Sequence, residues 1–284
     1  MAEFGDILAE SWKEYKANFK VFLVIFLLLA VIPSLIVYSA NIPLSLEFLK
    51  LGKNPDFSEL IKVIFSFRYL FLVAFFGAIA FLFSLLMHAS LIYNSVCRKK
   101  GKRMEVNETL RGGAKYFWKY LLFSIVFFIF LGGLFLLFII PGIIFLVYWL
   151  FAPYVLIKEN KGIIESLRTS YCLIKGKWWR TFGYSLLFII IIALISVAFS
   201  IAAGLIKLLF FINSILTLGF VEGFKLLAVS PVYLVFGGLI DNVFGLLSNL
   251  VTIPLSILFF KNFYLDYKIA KSKKRTLLNQ QVMR

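Results

Sequence analysis

One histidine, two cysteines and two glutamines are all that 284 residues hold of these types. A metal centre of the His/Cys kind needs several ligands at close spacing. His88 has no second histidine and no carboxylate in its own run, so no metal binding is expected there. Cys97 and Cys172 have no ligand spacing, and free thiols are expected. Acids are scarce too, 14 against 30 lysines and arginines. The sequence contains no nucleophile–base pair, paired carboxylate, glycine-rich phosphate loop or Cys/His cluster. It therefore points to no catalytic residue, no cofactor and no metal, and to a protein that is not an enzyme. Charged residues make up only 15%, where soluble domains carry about 25%.

What is abundant is apolar surface: 62% hydrophobic residues, 18% of the chain aromatic. A water-soluble core cannot absorb that much, so lipid must face a large part of it. In a soluble protein a net charge of +16 would suggest nucleic acid. In a membrane protein it reflects basic loops held at anionic lipid, and no nucleic-acid partner is expected. The N-terminal MAEFGDILAESWKEYK is too acidic and too poor in apolar run for a cleaved signal peptide.

The stretch Tyr120–Ile157 contains no Asp, Glu, Lys, Arg or His. As one helix it would reach roughly 57 Å, about twice the hydrocarbon core of a bilayer. Pro141-Gly142 interrupts it, and such a pair marks a turn. The run therefore predicts a hairpin, one crossing at about 120–140 and its return at about 142–157. Lys115, Lys119, Lys158 and Lys161 then flank it on one face of the membrane. The other expected crossings are about 21–40, with Pro33 as a kink, 69–96, 181–206 and 240–260. The fold class is all-α, a polytopic transmembrane bundle of about six crossings in a single integral membrane domain spanning 1–284.

Apolar residues at helical spacing predict an amphipathic helix over about 3–19, lying flat at the headgroups or packing on another protein domain. Residues 41–68 read as an exterior loop with short surface helices. Residues 207–238 are apolar but broken by Asn213, Gly219, Glu222 and Pro231, and read as interfacial, re-entrant or spanning. The interior segments 1–20, 98–119, 158–180 and 261–284 hold 24 of the 30 basic residues and the exterior segments 6. That bias predicts a cell-membrane protein with both termini cytoplasmic.

Asp6-Ile-Leu-Ala-Glu-Ser, Glu108-Thr-Leu-Arg-Gly-Gly and Glu165-Ser-Leu-Arg-Thr-Ser share an acid, a leucine two residues on and then a small residue. Each leads through aromatics and a lysine into an outward crossing. The implied unit is an interfacial helix (about 3–19, 104–118 and 162–175) followed by a membrane hairpin, used three times.

Few polar groups lie inside the crossings. His88 is an intramembrane ionisable group, either functional or a neutral imidazole bonded to a neighbouring helix. Asn94 and Asn249 could hydrogen-bond between helices. Asp241 opens the last crossing as an N-cap or as a proton-coupling group. Lys177-Trp178-Trp179-Arg180 stands at the inner mouth of the fifth crossing, as an interfacial anchor or as a lipid-headgroup pocket. The glycine pairs at 112–113, 132–133 and 237–238 fit helix breaks or close helix packing.

The segment YVLIKENKGIIESLRTSYCLIKGKWWR, Tyr154 to Arg180, resembles the central signature of a poorly characterised prokaryotic, often archaeal, family of six-helix membrane proteins. That family is related to the membrane domain fused to some bacterial glycerophosphodiester phosphodiesterases. The opening Phe4-Gly-Asp-Ile-Leu-Ala-Glu-Ser-Trp-Lys-Glu-Tyr and the closing Pro254-Leu-Ser-Ile-Leu are similar as well, as is Tyr264-Leu-Asp266-Tyr267. The family usually has a basic residue just after its acid, which Asp266 lacks. The phosphodiesterase barrel is absent, so the resemblance implies no such activity and no catalytic residues.

Three function classes follow. The first is a non-catalytic membrane protein that binds or organises lipids, with anionic headgroups on the cytoplasmic side, or partner proteins, including copies of itself. The second is a transporter or channel for a lipid or small solute. The third, a membrane enzyme, has no constellation to support it.

Overall fold

The computed structural model describes residues 1–39, 42, 58, 66–98, 104–218 and 233–282. Helix α1 is Phe4–Phe26, continued through a π-helical turn, Leu27–Val31, to Ser39. Then follow α2 (Phe67–Cys97), α3 (Val106–Leu137), α4 (Ile139–Tyr148), α5 (Ala152–Lys158) and α6 (Ile163–Ile174). Helix α7 is Trp178–Leu218, and α8 is Gly238–Val282, entered through a second π-helical turn at Tyr233–Gly237. Among the described residues there is no strand, and six helices are long and apolar enough to cross a membrane.

The expected hairpin is present, with its turn three residues early. Phe138 leaves helical geometry at φ −155° and ψ 124°. Pro141 falls in the first turn of α4, where its missing amide hydrogen would have found no partner anyway. Contacts pair Phe135 with Gly142, Phe130 with Trp149 and Lys119 with Asn160, so a step up α3 is a step down α4–α5. Ile139–Lys158 is 20 residues, about 30 Å, enough for one crossing.

Three expectations are corrected. No break separates 3–19 from the crossing at 21–40, because α1 runs straight through. It presents Ile7, Ser11, Tyr15, Asn18 and Phe22, three or four apart, to the protein, while Trp12 and Phe19 point outward. Likewise 104–118 is not a separate surface helix but the first part of α3. Residues 207–218 continue α7 rather than forming an exterior segment. The readings for 219–232 and for 40–65 fall outside the described residues, Ile42 and Ser58 apart. Where a kink was expected at Pro33, the structure shows a π-helical turn just before it. Its ring blocks a bond to the carbonyl four residues back, and the widened turn Leu27–Val31 lies there.

The chain divides into two compact units. The first comprises Met1–Ile25, Leu85–Ile191 and Thr252–Arg284. Its centre is α8, where Phe259, Phe263, Tyr264 and Tyr267 are fully buried. Phe259 stacks on Phe188 at 4.1 Å, and the Tyr267 hydroxyl meets Thr181 Oγ1 at 2.9 Å, so α7 and α8 pair antiparallel. The three repeated motifs lie in this unit, and each buries the same two positions, Ile7 and Ser11, Thr109 and Gly113, Ser166 and Ser170. Small residues there let helices approach closely. A Cβ on Gly113 would come within 2.6 Å of Ser90 Cα, which explains that glycine pair. Gly132 and Gly133 meet open space and do not break α3. The third repeat differs from the first two. Gly176, at φ 81°, ends α6 in the left-handed conformation that glycine adopts without steric cost, so α7 starts as a separate helix.

The second unit comprises Phe26–Ser84 and Ile192–Val251. Ser34 hydrogen-bonds Asn242 at 3.1 Å, and the Tyr38 hydroxyl donates to Val235 O within the second π-helical turn. Leu194, Val197 and Ile201 of α7 and Phe71, Val73 and Phe75 of α2 are exposed, which suits contact with lipid.

Candidate functional site

Of the four rim residues, Trp179 alone is open, at 78% exposure. Trp178 donates its indole N–H to Ile144 O at 3.2 Å and stacks on Phe182. Lys177 lies 4.6 Å from the centre of the Tyr267 ring. Arg180 reaches Asp266 Oδ2 at 3.4 Å, donates to the Ala2 carbonyl and lies over the rings of Tyr184, Phe263 and Tyr267. Asp266 in turn accepts the Ala2 amide at 2.9 Å. The N-terminus, α7 and α8 are thus tied through one guanidinium, which suits Arg and not Lys.

A second ionic cluster was not anticipated. Lys261 Nζ sits 2.6 and 2.7 Å from the two carboxylate oxygens of Glu14, and its side chain is only 4% exposed. Arg98 approaches the same carboxylate at 3.4 Å. In the sequence Lys261 looked like the start of a basic tail. The signal that could have found it is its position among the apolar Phe259, Phe260 and Phe263.

Glu159 closes the hairpin. It accepts from Tyr264 Oη at 2.7 Å and Lys268 Nζ at 2.9 Å, and pairs with Lys161 at 3.3 Å. Burial alone would raise its carboxyl, but the hydrogen bonds from Lys268 and Tyr264 and the Lys268 charge outweigh that and hold it down at about 2. Lys161 moves the other way. Burial lowers it, and the bonds to Glu159 and Glu165 more than restore it, so it lies above its ordinary value. A carboxyl lowered in the folded state contributes stability above its ordinary value of 4.5 and loses it as pH falls from there toward 2. We expect melting of the detergent-solubilised protein to drop between pH 5 and pH 3, by at most about 1 kcal/mol for so solvent-screened a group. Glu159→Gln should flatten that part of the pH profile.

The remaining polar candidates divide between the two units. His88 is half-buried in α2, in the first unit. Asn94, also on α2, donates to Thr109 Oγ1 at 2.9 Å, while its Oδ1 is buried with no partner among the described residues. Asp241 and Asn249 belong to the second unit and line one cleft of about 430 Å³ between α7 and α8. Asp241 lies in the first turn of α8 and holds Lys207 Nζ at 2.7 and 2.9 Å, so its carboxylate is a salt-bridge partner.

On the first unit's surface, Arg111, Lys115 and Trp118 share one face of α3, Arg168 and Cys172 share one face of α6, and Lys175 follows at the end of that helix. Trp118 is 71% exposed. The four cations Arg111, Lys115, Arg168 and Lys175 are exposed and form no ion pair among the described residues. Arg111 and Lys115 line a pocket of about 400 Å³ with Tyr93, Glu105 and Glu108. Cys97 and Cys172 are free thiols, and among the described residues no group of three His, Cys, Asp or Glu could hold a metal.

An all-α chain with six apolar helices of membrane-spanning length is a multi-pass membrane protein. No protein-family model, curated protein or solved structure matches it.

Proposed function

We propose that this protein is a non-catalytic membrane protein that binds anionic lipid headgroups along the basic, tryptophan-bearing face of its first unit, and that this face is cytoplasmic. The observation that supports this reading most is the set of four exposed cations with no acid partner among the described residues, on a unit that also exposes the indoles of Trp118 and Trp179. Indoles favour the headgroup level, and cations there pair with phosphates. The acids nearest α8 are already committed. Glu14, Glu159 and Asp266 pair with Lys261, Lys268 and Arg180 and do not compete for those cations. Glu105 and Glu108 do share the pocket of Arg111 and Lys115, so the attraction comes from the whole face rather than from that pocket alone. The charge bias of the sequence supports the cytoplasmic assignment.

Native mass spectrometry of the purified chain tests it. Phosphatidylglycerol should be retained over phosphatidylcholine by about fivefold or more, because each surface cation contributes about 1 kcal/mol. Replacing Arg111, Lys115, Arg168 and Lys175 together by Gln should remove that preference without unfolding the protein. Equal retention of the two lipids by the native chain would overturn the proposal.

A further inference from the structure

The second unit carries a polar cleft between α7 and α8. Ser196 and Ser200 of α7 face Asp241, Ser248 and Asn249 of α8 across about 430 Å³, with Phe199 and Phe244 in the walls. The Ser248 hydroxyl reaches Ser196 Oγ at 3.3 Å, and among the described residues Ser200 bonds only its own helix, to Ser196 O at 3.0 Å. The Asn249 side chain is exposed and makes no hydrogen bond among the described residues, leaving two donors and an acceptor open to the cleft. Polar groups facing hydrocarbon without partners are costly.

Position and charge narrow the ligand. A charged pair is not left in hydrocarbon, so Lys207–Asp241 marks the headgroup level. From Asp241 to Asn249 the cleft descends about 12 Å along α8 toward the acyl chains. Lys207 is committed to both carboxylate oxygens of Asp241, so the pair is neutral and offers no spare cation to a phosphate. What is left is a set of hydroxyl and amide groups that donate and accept alike, between two aromatic rings. Such a lining suits a ligand with many hydroxyls and apolar C–H faces.

We propose that this cleft binds an uncharged, hydroxyl-rich group of hexose size, carried on a lipid or free. Its residues are other than those of the basic face, and it takes an uncharged rather than an anionic group.

The test uses the full chain in a detergent without a sugar headgroup, with bound lipid counted by native mass spectrometry. The probes are a monoglucosyl diacylglycerol, the same diacylglycerol without sugar, phosphatidylglycerol and methyl glucoside. The glucosyl lipid should be retained about tenfold over the bare diacylglycerol. Ser200→Leu and Asn249→Leu, on different helices and at exposed positions, should each reduce that retention about tenfold while phosphatidylglycerol binding stays unchanged. Displacement by methyl glucoside would support the site with a free sugar or polyol as its source, and lack of displacement would support it with the lipid-borne form. Retention of glucosyl lipid no better than that of the bare diacylglycerol would overturn the proposal, as would variants that keep it within twofold. Because phosphatidylglycerol is read in the same experiment, failure of the cleft is distinguishable from failure of the basic face.

Discussion

Glu14→Gln destabilises the protein by about 3–5 kcal/mol, the cost of leaving one charge of a buried pair uncompensated. Lys261 reaches Glu14 from α8 with two short bonds, and its ammonium is almost wholly enclosed. An amide in place of the carboxylate keeps shape and one acceptor but removes the countercharge for both Lys261 and Arg98. The double variant Glu14→Gln/Lys261→Met should recover most of the loss, because no charge then stays buried. Lys261→Met alone should cost less than Glu14→Gln, since Glu14 keeps Arg98. Thermal unfolding in detergent micelles measures all three. A Glu14→Gln protein that melts with the native one would show that the pair is solvated and that α1 does not pack on α8 as described.

Arg180→Met costs about 2 kcal/mol through the lost charge-assisted bonds to Asp266 and the Ala2 carbonyl. It also loosens the N-terminus, since the Ala2 carbonyl loses its donor and only the Ala2 amide bond to Asp266 remains. Arg180→Lys restores charge but not the planar group that lies over Tyr184 and Tyr267 while reaching two acceptors, so it should recover less than half. Hydrogen exchange at residues 2–8 gives a local reading, and protection there should fall in both variants. Native-like protection in Arg180→Lys would mean that Arg180 acts by charge alone.

These two residues show what the sequence can and cannot convey. The hairpin was legible because physics leaves few alternatives for a long uncharged run interrupted by Pro141-Gly142. Its turn was misplaced by three residues because Pro141 is tolerated in a first helical turn as readily as in a loop. The six helices and the separate helix at 162–175 were legible for similar reasons. The continuity of α1 was not. An amphipathic stripe reads the same whether lipid or protein covers it, and Ser11 and Asn18 look solvent-directed until Asn262 and the rest of the first unit surround them. Arg180 and Lys177 were legible as rim residues, yet pairing with Asp266 and Tyr267 depends on a contact far along the chain, which local spacing cannot reveal. For the same reason Asp241 and Asn249 could be picked out singly but not placed in one cleft with Ser196 and Ser200.

The account rests on α3 and α4–α5 crossing and returning, so that residues before and after the hairpin share one side of the membrane. Single cysteines in a Cys97→Ser/Cys172→Ser background, probed in sealed vesicles with a membrane-impermeant maleimide, measure this directly. Asn107→Cys and Ile164→Cys should react from the same side, and Leu137→Cys, at the exposed turn, only from the other. Reaction of positions 107 and 164 from opposite sides would contradict it.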